Sequence, residues 1–508
     1  MSRNQSMTVL NPATLNVADH IDETPIYHIS NMYELSQAAS LKWREQSVKK
    51  RLTYIQELKK IMMDRLDDVV EVLSADTGKV KVEAVTADVL PVLDAISFLE
   101  KHAARTLATH RVHTPVTFFG KKSYIEYMAR GTVLVISPWN YPLQLAMVPM
   151  MNALIAGNAV ILKPSEVTPL VGKCIEELFE QAKFPKGLVQ VAHGGKEVGA
   201  ALTKGKPDYI FFTGSVATGK KIQEEAAKAL IPVTLELGGK DPIIVCGDAN
   251  LDRAAKGAAW GAFTNSGQVC MSSERIYVEQ NVYDEFIEKF KNETLKLKQG
   301  TDTDDDIGSM TFPGQIDIIK GQLEEALAGG ARLITGIKPH EWDLSEGLFL
   351  PPTIVVGVHQ KMKLMQEETF GPVAAVMPFQ TDEEAIELAN DSIYGLNASV
   401  WSKDIKKAKR IVSKLVTGNA VINDVMISAA NQHLPFGGVK QSGMGKYHGK
   451  QGLRVFCHEK SVMLDNGKKK SELQWYPYHN KYPKIRAFLK RMFWKKISKL
   501  ADPHKTEK

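Results

Sequence analysis

A single cysteine, Cys270, follows a helix-breaking Asn265-Ser266-Gly267 step at the end of an apolar run from Ala254 to Phe263, and a strand-like Arg275-Ile-Tyr-Val278 begins just after it. A thiol on a turn between a buried helix and the next element lies beside backbone N–H groups that no regular element consumes. As a thiolate it is a nucleophile. The plainer reading is a small buried hydrophobe, the commoner fate of a free cysteine. Glu236 ends a strand-like run, 233–237, beside Gly238 and Gly239. Partial desolvation there raises a carboxyl toward the range of a general base. Three further polar loops follow apolar runs: Pro138-Trp139-Asn140-Tyr141-Pro142, Lys163-Pro164-Ser165-Glu166 and Thr213-Gly214-Ser215 with Gly219. A Gly-Ser loop before a helix suits phosphate at the helix N-terminus, but it is not a GxGxxG fingerprint and a plain tight turn fits equally. Lys163 and Glu166 suit an adenosine ribose, the carboxylate accepting from both hydroxyls and repelling a 2′-phosphate; solvated loop charges are the alternative.

Such groups need a frame to converge. Runs rich in Val, Ile, Leu and Phe at 132–137, 159–162, 188–191, 209–212 and 233–237 alternate with helix-like segments at 143–155, 169–182, 198–202 and 217–229. This alternation predicts an open, mostly parallel α/β sheet whose ligands sit at the carboxyl ends of the strands. A second α/β pattern covers 240–423, with helices at 283–297, 315–328, 383–390 and 405–415 and strands at 331–335, 374–379, 398–401 and 420–423. Ahead of both, 1–30 reads as a weakly structured lead-in. Helices are expected at 32–47, 51–77 (closed by Gly78) and 81–108, and an extended arm at 118–127. The thiol would then face the nucleotide across the cleft between the two halves.

With 508 residues, 44% hydrophobic and 24% charged, the chain holds two large cores of a soluble globular type. The four cysteines, Cys174, Cys246, Cys270 and Cys457, have neither CxxC nor zinc spacing, which points to a reducing, cytoplasmic compartment and no metal. No apolar h-region follows Met1 and no run reaches the roughly 20 residues of a membrane span. The +6 charge is uneven: from Asp465 onward thirteen Lys and Arg stand against four Asp and Glu, so the tail carries +9 and the rest −3.

Taken together, Pro-Trp-Asn-Tyr-Pro at 138–142, Lys-Pro-Ser-Glu at 163–166, Phe-Thr-Gly-Ser at 212–215, Glu-Leu-Gly-Gly-Lys at 236–240, Gly-Gln-Val-Cys at 267–270, Glu-Glu-Thr-Phe-Gly-Pro at 367–372 and Leu-Pro-Phe-Gly-Gly at 434–438 resemble the aldehyde dehydrogenase superfamily, over roughly 10–465. The Gly443-Met-Gly-Lys-Tyr-His-Gly449 stretch and the basic tail are most similar to the class 3 and fatty-aldehyde branch, though the longer N-terminus is unlike that branch's shortest members.

The resemblance implies two α/β domains: a Rossmann-like NAD-binding domain over 1–239, with the oligomerisation arm near 118–128, and a catalytic thiol domain over 240–430. The segment 431–470 returns to the NAD-binding domain and an oligomerisation surface, leaving 471–508 as a basic amphipathic tail. It further implies Cys270 as nucleophile, Asn140 and the Cys270 N–H as oxyanion donors, and Glu236 as the base that hydrolyses the thioester. A thioester left for coenzyme A would not need that base. Lys163, Ser165 and Glu166 would face the adenosine ribose, Gly214, Ser215 and Gly219 the diphosphate, and Glu368 the nicotinamide ribose, with Trp139 and Phe370 packed on the cofactor. Glu166 favours NAD, with NADP as the alternative. Family members are dimers or tetramers, so a homo-oligomer is expected.

Asp241 stands where the family has a small or amide residue; the expected reading is a solvent-facing carboxylate, the other an acid that raises the pKa of Glu236. Gln144 reads either as a polar group beside a substrate tunnel or as an exposed helical face. Over 484–500, Ile485, Phe488, Leu489, Met492, Phe493, Ile497 and Leu500 fall at helical spacing among Lys484, Arg486, Lys490, Arg491, Lys495, Lys496 and Lys499, with Trp494 at the boundary. Such a helix suits the headgroup region of an anionic bilayer, on the inner face of a membrane; a helix docked at a dimer interface or over the substrate entrance is the rival. One basic helix on a near-neutral body gives no nucleic-acid surface. A long-chain or other lipophilic aldehyde follows from the membrane reading, and a small or aromatic one from the rival. Two other classes remain: an NAD-independent thioesterase, opposed by the four cofactor loops, and a catalytically silent membrane scaffold, opposed by the intact Asn140, Glu236 and Cys270.

Overall fold

A computed structural model describes residues 6–494. The chain forms two units, Met1–Ala108 with Tyr127–Lys460, and Thr109–Glu126 with Ser461–Lys508.

The larger unit is built on two sheets. The first has six strands in the order Gly443–Met444, Val233–Glu236, Tyr209–Thr213, Thr132–Ile136, Ala159–Lys163, Val189–Val191, all parallel except the first pairing. The central strands are buried at every position, as expected of a sheet covered by helices on both faces. Thr132–Ile136 feeds into the helix Pro142–Ala156, every residue of which is buried except Gln144. A helix apolar all round can only lie inside the protein. The second sheet has seven strands, in the order Arg332–Leu333, Thr353–Val356, Val373–Phe379, Arg275–Glu279, Pro242–Val245, Ser399–Trp401, Val421–Ile422, parallel but for the first pairing. The expected doubly wound α/β architecture is present. Two of its strands, Pro242–Val245 and Thr353–Val356, were not anticipated, because short fully buried runs carry no alternation.

Three other expectations need correction. The lead-in is partly ordered: Ser6–Leu10 and Val17–Asp22 pair as an antiparallel hairpin, turned by Asn11, whose Oδ1 accepts from the Ala13 amide, and anchored by buried Val9 and Ile21. The helix expected over 51–77 is two helices, Val48–Asp64 and Leu66–Thr77, broken at Arg65 (φ −110°, ψ 22°), although Gly78 closes the second in the left-handed region as expected. The segment expected as one helix over 81–108 passes through a π-helical stretch, Ala84–Val89, before Leu90–Thr106. Asp88 lies in that wide turn and is fully buried.

In the smaller unit His110–Val112 pairs antiparallel with residues 123–125 of the strand Lys122–Ala129. Within it Lys121 pairs with Asp465 at 2.8 Å and Glu472 at 3.0 Å. The tail helix runs Tyr482–Leu489 and continues as a π-turn, Lys490–Trp494, with no buried residue; Phe488, Leu489, Phe493 and Trp494 are all exposed. Lys495, Lys496, Ile497, Lys499 and Leu500 lie outside the described residues.

Candidate active site

Cys270 is placed by strain and by hydrogen bonds. Asn265, Ser266 and Gly267 all take positive φ (52°, 55° and 69°), which turns the chain sharply after the helix Leu251–Phe263. Only glycine fits at 267: a Cβ there would overlap the Gly371 carbonyl, so two loops touch backbone to backbone. Gln268 locks the turn, its Nε2 donating to the Asn265 carbonyl (2.9 Å) and its Oε1 accepting from the Thr311 amide (2.8 Å). Asn140, 3% exposed, is tied to the same turn. Its Nδ2 donates to the Gln268 carbonyl at 3.0 Å, and its own carbonyl accepts from Asn265 Nδ2 at 3.1 Å.

The half-buried thiol opens into a cavity of about 700 Å³, whose walls also carry Glu236, Tyr141, Tyr447 and Gln144. Farther out the lining is largely apolar, including Val80, Leu145, Phe263, Leu297, Met426 and Phe436. Gln144 therefore lines the cavity rather than an exposed helical face. Glu236 is 4% exposed, and neither carboxylate oxygen has a hydrogen-bond partner among the described residues. Burial drives its pKa well above the ordinary carboxylate range, opposed only by the Lys446 ammonium. Burial, and next the carboxylates of Asp241, Glu368 and Glu236, likewise push the Cys270 thiol up. Asp241 corrects the solvent-facing expectation: it is 2% exposed, and burial raises its pKa well above normal against the Asn397 amide and the Arg275 guanidinium. It does not act on Glu236; the group whose pKa it raises is Cys270.

Most of the other predicted residues follow strands of the first sheet, whereas Glu368 and Phe370 precede the strand Val373–Phe379 of the second. Lys163 Nζ meets Glu166 Oε2 at 2.6 Å, with Lys163 buried and Glu166 half-exposed. Ser165 Oγ accepts from the Val167 amide at 3.2 Å. Ser215 caps the helix Val216–Ala227, accepting from Thr218 N at 3.3 Å, while Gly214 N donates to the Glu236 carbonyl at 3.0 Å. Gly219 lets that helix approach the Leu237 side chain: a Cβ would come within 2.7 Å of Cδ2. Glu368 Oε1 accepts from Gly239 N at 3.1 Å, and burial, with Glu274 next, lifts its pKa to about 8. Phe370 sits at φ 52° and meets the Trp139 ring edge-on at 5.3 Å. A nucleotide fits this rim: among the described residues Ser137 Oγ and Thr213 Oγ1 are buried without hydrogen-bond partners at strand ends, and a Cβ at Gly199 would lie 3.9 Å from Lys163 Cε, with nothing else within 4 Å.

The profile of the Aldehyde dehydrogenase family matches residues 1–462. The chain belongs to this family. It is 45% identical over 456 residues to a 4,4'-diapolycopene aldehyde oxidase of Methylomonas sp, covering 89% of this chain and 85% of the relative. It is 34% identical over 471 residues to the 4,4'-diaponeurosporen-aldehyde dehydrogenase of Staphylococcus aureus, covering 93% and 100%. A solved betaine aldehyde dehydrogenase from Staphylococcus aureus, in complex with NAD+, superposes with a TM-score of 0.86 at 32% identity, covering 93% and 94%. As an aldehyde dehydrogenase the protein is an oxidoreductase acting on aldehydes.

Several residues of this aldehyde dehydrogenase site escaped the sequence reading. Lys79 Nζ donates to Asp88 Oδ2 at 2.6 Å and to the Asn140 carbonyl at 2.8 Å, and lies 4.5 Å from the Tyr141 ring centroid. Asp88 Oδ1 accepts from the Leu143 and Gln144 amides, each at 3.2 Å, at the N-terminus of the buried helix. The two side chains are 1% and 0% exposed. An aspartate inside a helical pattern signals nothing until the amides it accepts from, more than fifty residues away, are known.

Proposed function

We propose that the protein oxidises a lipophilic, long-chain aldehyde to the carboxylic acid with NAD, NADP being the alternative. The observation that carries this reading is the single cavity holding the Cys270 thiol and the unpartnered Glu236 carboxylate behind largely apolar walls. Cys270, partly exposed to the cavity, loses its thiol proton to water there and attacks the carbonyl carbon as the thiolate, and the Asn140 amide and Cys270 N–H hold the oxygen that becomes charged. Bound NAD would supply a hydride acceptor, and the Cys270 adduct, on losing its hydride, would be a thioester. Glu236 takes a proton from water, which attacks that carbon; the carbon–sulfur bond breaks, the acid leaves and the thiolate returns. Trp139, Lys163, Ser165, Glu166, Gly214, Ser215, Gly219, Glu368 and Phe370 hold the dinucleotide. The cofactor part is 1–239 joined by 431–470, the catalytic part 240–430, and the tail 471–508. Glu166→Ala is expected to narrow the NAD over NADP preference about tenfold in kcat/KM, because a like charge beside the 2′-phosphate is lost.

Two features support lipophilic substrates: the apolar tunnel, and relatives named for 4,4'-diapolycopene and 4,4'-diaponeurosporen aldehydes. The Gly443–Gly449 stretch favours the fatty-aldehyde branch. The exposed aromatic and basic tail fits the surface of an anionic bilayer, each cation contributing on the order of 1 kcal/mol, and no helix among the described residues is long and apolar enough to cross one. The strand Cys457–Leu464, at the edge of the sheet whose centre is Lys122–Ala129, is placed for pairing in a homo-oligomer. The test is NADH formation with hexanal, hexadecanal and benzaldehyde, and pelleting with anionic liposomes. Deleting 471–508 is expected to release the protein from liposomes and to raise KM for hexadecanal about tenfold while leaving hexanal unchanged. Activity confined to short or aromatic aldehydes would reassign the tail to dimerisation or gating, and no activity on any aldehyde would leave a silent scaffold.

A further inference from the structure

Glu274 lies four residues beyond Cys270, where the Arg275–Glu279 strand begins, and is 2% exposed. Its Oε2 accepts from the ammonium of fully buried Lys240 and from the Thr369 amide (2.9 Å); its Oε1 accepts from the Phe370 amide (2.8 Å). Lys240 Nζ also donates to Thr369 Oγ1 at 2.7 Å, Thr369 Oγ1 donates to Gln322 Oε1 at 2.7 Å, and Gln322 Nε2 donates to the Glu368 carbonyl at 3.1 Å. Segment 368–370 is thus held by backbone and side-chain bonds that converge on one carboxylate belonging to the cysteine's own turn. Phe370 needs such holding, because positive φ is unfavourable for an aromatic residue unless its surroundings impose it. The Gly267 contact with Gly371 joins the same two loops a second time.

We propose that Glu274, with Lys240, is a positioning residue for the dinucleotide: the pair fixes Glu368 and Phe370 relative to Cys270, so that the hydride acceptor and the reacting sulfur are held in register. This rests on the reading that Glu368 and Phe370 grip the cofactor. Two backbone amides aimed at an ionised acceptor set that geometry more firmly than two neutral bonds would. The pair touches neither the reacting atoms nor the substrate cavity, so its effect passes through the loop it holds.

The experiment compares Glu274→Gln, the double variant Lys240→Met with Glu274→Met, and Glu368→Gln in the full-length protein. It measures NAD affinity by calorimetry, turnover with hexanal, and the rate at which iodoacetamide alkylates Cys270 without NAD. Glu274→Gln is expected to weaken NAD about tenfold and to slow turnover about a hundredfold, as for a misplaced reacting partner, with alkylation within about twofold of wild type. An unchanged NAD affinity in Glu274→Gln, alongside weakened binding in Glu368→Gln, overturns the proposal and leaves the grip intact; unchanged affinity in Glu368→Gln overturns the grip itself. Alkylation that falls in step with NAD binding also overturns it, since the pair would then hold the whole site together. Should Glu274→Gln not fold, the Met pair, which fills the buried space without charge, decides by the same readouts, and its failure to fold counts against positioning.

Discussion

Cys270→Ala is expected to abolish NADH formation with every aldehyde, a loss on the order of 10⁴-fold or more, while NAD affinity and thermal unfolding stay close to wild type. The effect is large because, among the described residues, Cys270 alone of the four cysteines lines the cavity: Cys174, Cys246 and Cys457 are buried away from it. Truncation to alanine leaves the turn intact, since the bonds that hold it are made by Asn265 and Gln268 rather than by the thiol. Stopped-flow absorbance at 340 nm checks the chemistry, and calorimetry with NAD checks that the cofactor site survives. Residual turnover above about 1% of wild type would place the nucleophile elsewhere.

Glu236→Gln should fail differently. Attack and hydride transfer need no proton acceptor at that position, so the variant is expected to release about one equivalent of NADH per site in a burst and then to turn over 10²- to 10⁴-fold more slowly as the thioester accumulates. Mass spectrometry of the quenched protein would show the acyl adduct on Cys270. In the wild type the same carboxyl governs the acid limb of the pH profile. Because burial raises its pKa, it is protonated and inactive as a base at low pH, and the deacylation rate climbs as pH rises through that raised value. Lys446 pulls in the opposite direction, with Tyr209 and Tyr447 the neighbouring phenols. Lys446→Met is therefore expected to move the acid limb to higher pH, measured as kcat against pH under conditions where deacylation limits. A limb unmoved by either substitution would assign it to another group.

The chemistry was more legible in the sequence than the packing. Cys270, Glu236 and the polar loops could be singled out because turn residues and strand ends announce themselves locally, and the alternation of apolar runs with helical periodicity predicts five of the first sheet's six strands to within a residue or two, missing only the short Gly443–Met444. The hinge at Arg65 and the π-turn over Ala84–Val89 could not, since apolar spacing continues unbroken through both. Asp241 was misread for the complementary reason: a carboxylate usually reads as solvent-facing, and only the tertiary fold brings Asn397 and Arg275 to it. The Lys79–Asp88 pair and the Lys240–Glu274 hub were missed for a related reason: the backbone groups they hold, the Asn140 carbonyl with the Leu143 and Gln144 amides and the Thr369 and Phe370 amides, are distant in sequence.

The cavity is made of unequal materials. Its inner end is formed by strand termini and by a helix buried at every position but Gln144, whereas Val82, Trp260 and Ile427 on its outer walls are exposed side chains on the protein's surface. Replacing an inner residue disturbs a packed core, while replacing an outer one alters only what the passage admits. Substrate range can therefore drift by single neutral steps at the entrance, with the reaction inherited unchanged. A descendant would acquire a new metabolite without ever passing through an inactive ancestor.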